Sequence, residues 1–220
     1  GMEARCTALK KWCSQYADEK GDARWMVPPM LVLASTCRRL AKRLDAEERT
    51  EQQQSRLVEV LREQFQHLHR DVRKREGCLA VCCALLQLYV NLGKASQCSF
   101  LLAAVAKMQG GEGSLELEAL PKALTVTLCF LWGKHAVFDG RLAEAEQRLG
   151  WALSRCPPSR RRNRARILEN LIPCRLLLGR YPKRRLLQRI GLEGIARAVS
   201  VGDVRTFDRE LDEQAPQLLR

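Results

Sequence analysis

At 220 residues, with 46% hydrophobic and 29% charged positions, the chain carries enough apolar side chains for a sizeable core and is neither a disordered nor a fibrous sequence. Lysine and arginine total 38 against 25 aspartate and glutamate, a formal net charge of +13. No apolar run approaches the roughly 18 residues that span a bilayer as a helix, and the opening Met2-Glu3-Ala4-Arg5 is charged, unlike a secretory leader, so a soluble intracellular protein is expected.

Residues 2–19 read as a helix, because Cys6, Leu9, Cys13 and Tyr16 recur at steps of three and four along one stripe. Gly21-Asp22 ends it. Trp25 to Leu44 is a second helical stretch with Pro28-Pro29 near its start, where a missing N–H is harmless. Leu33, Thr36, Cys37, Leu40 and Leu44 are expected to face inward, and Arg38, Arg39, Lys42 and Arg43 outward. Asp45 to Gln54 reads as a polar connection into a helix whose inner residues are Leu57, Val60, Leu61, Gln64, Leu68 and Val72.

After a charged junction, Asp71 to Gly77, the run Cys78 to Leu92 is apolar almost all round and reads as a central buried helix. Gly93 closes it. Ala95 to Met108 is its partner, with Ala95, Ala103, Ala104 and Ala106 permitting close approach. Gln109 to Ser114 (QGGEGS) reads as a flexible loop. A long helix is expected from Glu116 to Asp139, then helices over 141–155 and about 162–178, parted by Pro157-Pro158-Ser159. A short helix over 183–189 follows, then Leu192 to Ser200 and Asp203 to about Gln214, with Asp203 as N-cap. No strand pattern is present.

Four turns share one form, in which an apolar helix ends at a glycine and an amphipathic helix follows: Gly93, Gly140, Gly179 and Gly202. Their spacing of 47, 39 and 23 residues is too irregular for a strict tetratricopeptide array but suits stacked helical hairpins, each burying its face against the next. The expected fold is therefore all-α, a right-handed stack of tetratricopeptide-like helical hairpins in a single domain over 1–220. Such a stack offers a long surface and favours a scaffold over an enzyme.

The chain lacks GxxxxGK[ST], GxGxxG, HExxH and GxSxG. Gly110-Gly111-Glu112-Gly113 imitates a phosphate loop only weakly, without a preceding strand or a terminal lysine-threonine. Glu144 and Glu146 read as an exposed helix face, and His135 as a packed or surface residue. Cys156 has arginines on both sides but no partnered histidine. The ten cysteines contain no CxxC and no ligand spacing to His67, His69 or His135, so buried free thiols are expected and neither a metal nor a cofactor is.

The basic excess is local. Residues 155–189 hold 12 basic residues and one acidic residue, Glu169, a concentration that points to a polyanionic partner, nucleic acid or a very acidic peptide. Arg155, Arg160, Arg161, Arg162, Arg164 and Arg166 form the strongest constellation, and Lys183, Arg184 and Arg185 a second. Arginine at a helix N-terminus opposes the macrodipole at some tenths of a kcal/mol each. The first cluster fans round its helix, which suits an acidic chain or phosphate backbone rather than base edges. Without interleaved aromatic residues, stacking of single strands is not expected.

From about Trp25 to Leu211 the sequence resembles the PCI-domain family, helical scaffold subunits of the proteasome lid, the signalosome and an initiation factor. The resemblance is densest in Trp132 to Asp139, in Ala143-Glu144-Ala145-Glu146, and in Asn163 to Leu178, where Asn163, Arg166, Ile167, Leu168, Leu171, Ile172, Pro173, Leu177, Leu178 and Gly179 match the family pattern. Pro182, Leu186, Leu187 and Ala198 to Asp203 continue it, and Trp25 with Pro28 resembles an earlier helix. Within the family the likeness is to the PCI subunit of the second transcription-and-export complex, which acts in nuclear mRNA export at the pore, with the signalosome type as the alternative. The resemblance implies a non-enzymatic scaffold, nuclear and in part cytoplasmic, that docks a large PCI-type scaffold protein and a small acidic protein and helps bind RNA or DNA. It implies no membrane partner and no small-molecule substrate. A winged-helix module is expected after residue 220 and is absent from the chain. Arg160 to Arg166 are the candidates for the acidic contact.

Overall fold

A computed structural model describes residues 1–109 and 116–218. The expected loop at Gln109–Ser114, from Gly110 onward, and the glycine-rich Gly110–Gly113 stretch lie outside the described residues. The fold is all-α, as expected, with eleven α-helices and no strand among the described residues. The chain divides into two compact units, Gly1–His135 and Ala136–Arg220.

The first unit is built around α4 (Arg75–Asn91), which buries twelve residues from Gly77 to Tyr89. Leu79, Leu85, Leu86 and Leu88 are fully enclosed, each contributing about 1.5–3 kcal/mol of transfer free energy. α3 (Gln52–Leu68), α2 (Val27–Glu48) and α5 (Ala95–Gln109) pack against it, and α1 (Met2–Asp18) packs on α2 and α3. The face of α1 is the one read from its periodicity: Met2, Cys6, Leu9, Cys13 and Tyr16. Leu124, Leu128, Leu131 and Trp132 of α6 (Lys122–Phe138) join the same core.

Several faces and boundaries differ from expectation. On α2 the buried line is Val27, Met30, Ala34, Cys37, Ala41 and Asp45, while Leu33, Leu40 and Leu44 lie partly buried at its edge. α2 packs against three helices, so the small alanines take the centre of its stripe and the leucines fill its rim. On α5 the inward residues are Cys98, Leu101, Leu102, Val105 and Met108, and Ala95, Ala103 and Ala106 face out. Val72, expected inside, is exposed in a 3-10 turn over Val72–Lys74. α6 starts at Lys122 and not at Glu116, because Pro121 disfavours helical backbone at Leu120 and its carbonyl accepts the first helical N–H groups, from Leu124 (2.9 Å) and Thr125 (3.2 Å).

The expected polar connection after Leu44 is a built junction. α2 runs on to Glu48, and buried Asp45 reaches over to the start of α3. Its carboxylate accepts from Gln53 N (2.8 Å), Gln54 N (2.9 Å) and Gln54 Nε2 (3.1 Å), satisfying N–H groups that a helix start leaves orphaned.

The second unit holds α7 (Leu142–Arg155), α8 (Arg161–Leu177), α9 (Arg184–Arg189), α10 (Glu193–Val201) and α11 (Val204–Leu218). α7 lays Ala145, Leu149 and Ala152 against α8. Ile172 and Leu176 of α8 form a small core with Leu187, Leu192, Ile195 and Ala196. Asp203 caps α11 as expected, accepting from Thr206 N at 3.0 Å and Thr206 Oγ1 at 2.6 Å.

All four expected glycine turns have left-handed backbone, and Gly191 makes a fifth, with φ between 65° and 74°. The turn after α6 shows the device. Gly140 N donates to Val137 O at 3.0 Å and Arg141 N to Ala136 O at 2.9 Å, which satisfies two helix-end carbonyls in a Schellman motif. Gly93, Gly179, Gly191 and Gly202 repeat this pair of bonds.

Candidate basic interaction surface

The basic region spans the end of α7, the turn at 156–160, α8, the turn after Leu177 and α9. α8 begins without a side-chain cap and without an acidic residue in its first turn; Arg160 holds the N-cap position. Opposing the macrodipole in this way puts the charges where the helix gains nothing from them.

The nine candidate residues separate by what they touch. Arg164 is half-buried and its Nη1 donates to the carbonyls of Leu153 (2.9 Å) and Cys156 (2.7 Å). It closes the C-terminus of α7 and is occupied. Arg155 is half-buried with its guanidinium 5.1 Å from the ring centroid of Trp151. Arg184 pairs with Glu193. Arg160, Arg161, Arg162, Arg166, Lys183 and Arg185 are exposed and have no ion pair among the described residues. Arg162 and Arg166 lie one turn apart on α8 and so share a side. Lys183 and Arg185 follow the far end of that helix, whose 17 residues are about 25 Å long. The arginines at its start and the basic residues after its end therefore form two patches.

Glu146 was expected on an exposed face and is not. Its side chain is 13% exposed, accepts from Arg175 Nε at 3.1 Å, and pairs with Arg180 from the turn after α8. The Arg180 guanidinium, and after it Arg175, hold its carboxyl below the usual glutamate range. One carboxylate of α7 thus holds the last turn of α8 and the turn that follows it. No spacing in the sequence announces this contact, since Arg175 is 29 residues away. Glu144, its neighbour in the acidic pair, bonds Arg141 one turn back. Beside Glu146, a groove of about 470 Å³ runs between α7 and the end of α8, with Trp151 and Gly150 on its wall.

All ten cysteines are buried thiols outside any disulfide, as expected. Burial pushes the thiols of Cys13 and Cys78 up to about 12 and that of Cys37 up to about 11. Cys156 is buried, and its own carbonyl accepts from Arg164 Nη1. His135 is buried, with Nε2 2.9 Å from Ser99 Oγ, the packed alternative. Among the described residues no cluster of histidine, cysteine and carboxylate side chains has metal-holding geometry, and no helix is long and apolar enough to cross a membrane.

By class, then, this is an all-α helical-hairpin protein whose one strongly basic stretch is partly built into its frame and partly exposed. It is similar to PCI domain-containing protein 2 homologues, as the sequence resemblance implied: it is 30% identical to the Drosophila melanogaster homolog over 67% of this chain and 36% of that protein. It is 29% identical to PCI domain-containing protein 2 of Danio rerio over 64% of this chain and 35% of that one. Enhanced ethylene response protein 5 of Arabidopsis thaliana is 28% identical over 97% of this chain and 53% of its own length. The chain thus spans about half or less of the curated relatives it matches. No family model matches it.

Proposed function

We propose that this chain is the helical part of a non-enzymatic scaffold or adaptor subunit that acts in transcription-coupled nuclear mRNA export. It binds a large PCI-type scaffold protein through its helical hairpins and a small acidic protein through the arginines at the start of α8. The observation that carries the reading is the likeness to PCI domain-containing protein 2 homologues over two thirds of the chain, joined to an exposed arginine set that no carboxylate pairs with among the described residues. The winged-helix module belongs to this reading as the continuation that completes the subunit.

The test is capture of partners from nuclear extract by the tagged chain, identified by mass spectrometry. The reading predicts export-complex subunits, including a small acidic one. Recovery of signalosome subunits would assign the chain to that assembly instead.

The exposed, unpaired Arg160, Arg161, Arg162 and Arg166 favour a second reading, direct binding of RNA or DNA. A phosphate contact weakens with salt, with a log–log slope of about −0.7 per neutralised phosphate on single strands. Four contacts predict a slope of about −3, and a flat response would contradict this reading.

A further inference from the structure

We propose that the first unit carries a binding site for a small phosphate-bearing anion, in the cavity between the end of α1 and the turn that opens α4, with the ammonium of Lys74 in its lining. Lys74 is 3% exposed and makes no direct ion pair among the described residues; the carboxylate that feels its charge, Asp71, is already forked onto Arg73. Its Nζ donates to the carbonyl of Glu19 at 2.6 Å and stands 4.9 Å from the centroid of the Tyr16 ring. Both are good company for a cation, but neither carries charge, and Asp71 is shared with Arg73, so the enclosed ammonium is compensated only in part.

The cavity measures about 260 Å³, and its charged lining is four cations, Lys20, Arg24, Arg73 and Lys74, against two carboxylates, Glu19 and Asp22. The carboxylate of Glu19 is turned to its own loop, accepting from Gly21 N at 3.1 Å. Arg24 and Arg73 flank the cavity in the same manner, each forked onto an aspartate two residues earlier: Arg24 on Asp22 at 2.7 Å and Arg73 on Asp71 at 3.0 Å. Their side chains are 76% and 75% exposed, so water screens both pairs and each guanidinium is free to exchange its local carboxylate for a shared anion.

A phosphate group matches this lining. Its oxygens accept from a buried point charge and from two planar guanidinium forks at once. The Lys74 ammonium in the lining repels a metal ion, and a volume of about 260 Å³ suits one or two phosphate groups rather than a polymer. This site is separate from the arginines of α8 and does not depend on the function proposed above.

The test is isothermal titration of the full chain with sodium pyrophosphate at constant ionic strength, with sodium chloride as the blank. The proposal predicts one saturable site, weakened about tenfold or more in Lys74→Met and at least about threefold in the Arg24→Gln, Arg73→Gln double variant. The double variant changes only exposed side chains, so it decides the matter even if Lys74→Met fails to fold. No saturable binding, or affinity unchanged in the double variant, overturns the proposal. Pyrophosphate held by the arginines of α8 gives that second result.

Discussion

At the scale of single residues, the polar side chains that matter most are the ones that tie one helix to another. Asp45 is buried and holds the first free N–H groups of α3. Replacing it with alanine leaves those donors and the Gln54 side chain unmatched. Asp45→Ala is expected to cost about 2 kcal/mol in urea unfolding, with Asp45→Asn intermediate because it keeps an acceptor.

Glu146 gives a pH signature. Its carboxyl is held below its ordinary value of 4.5 by Arg180 and Arg175. A carboxylate with a depressed folded-state pKa contributes stability that is fully present above the unfolded value and is lost as pH falls through the folded one. Acid unfolding below about pH 4.5 should therefore contain a share from this residue. Glu146→Gln should cost about 1 kcal/mol at pH 7, since both arginines are more than a third exposed, and that difference should close as pH falls. A constant difference between pH 7 and pH 3 would assign the loss to packing instead.

Gly77 shows the opposite limit, where a side chain is excluded. A Cβ there would lie 2.2 Å from Cε1 of Tyr16, a buried ring whose hydroxyl oxygen accepts from Gly77 N. Gly77→Ala is expected to destabilise by about 1–3 kcal/mol through overpacking, read by thermal or urea unfolding.

At the scale of elements, the repeated unit is the helix end. Gly140, with φ +73° and nothing within 4 Å of a built Cβ, isolates backbone strain from packing. Gly140→Ala should cost about 1 kcal/mol, and Gly140→Asn less, because asparagine tolerates the left-handed region. This device was legible in the sequence: apolar helix, glycine, amphipathic helix is a local pattern, and local hydrogen bonds decide it. The buried apolar run of α4 and the stripe of α1 were legible for the same reason. The face of α2 was not, because three neighbours share that helix and periodicity reports only one side. The start of α6 was set by Pro121, a signal present in the sequence but outweighed there by the apolar run that follows it. The site was legible as a composition, a basic stretch, but not as an arrangement. That Arg164 caps α7 and Arg184 holds Glu193, while Arg160 to Arg162 remain exposed, depends on which carbonyl or carboxylate the fold brings near each guanidinium.

At the scale of the whole molecule, the two units differ in what they offer. The first concentrates the apolar core around α4 and keeps most of its cysteines inside it. The second carries the basic excess on a thinner core, centred on Ile172, Leu176, Leu187, Leu192 and Ile195, so more of its surface is available for contact. This division suits the proposed scaffold role, which calls for a frame that holds its shape and charged side chains that the frame does not use.

The measurement that tests this division most directly compares two charge reversals in the tagged full chain. One variant carries Arg160→Glu, Arg161→Glu, Arg162→Glu and Arg166→Glu; the other carries Arg164→Glu alone. Thermal unfolding and capture of the proposed small acidic partner are read on both. The account predicts that the fourfold variant loses the partner and keeps its melting temperature within about 2 °C, and that Arg164→Glu melts several degrees lower. Retention of the acidic partner by the fourfold variant would contradict it.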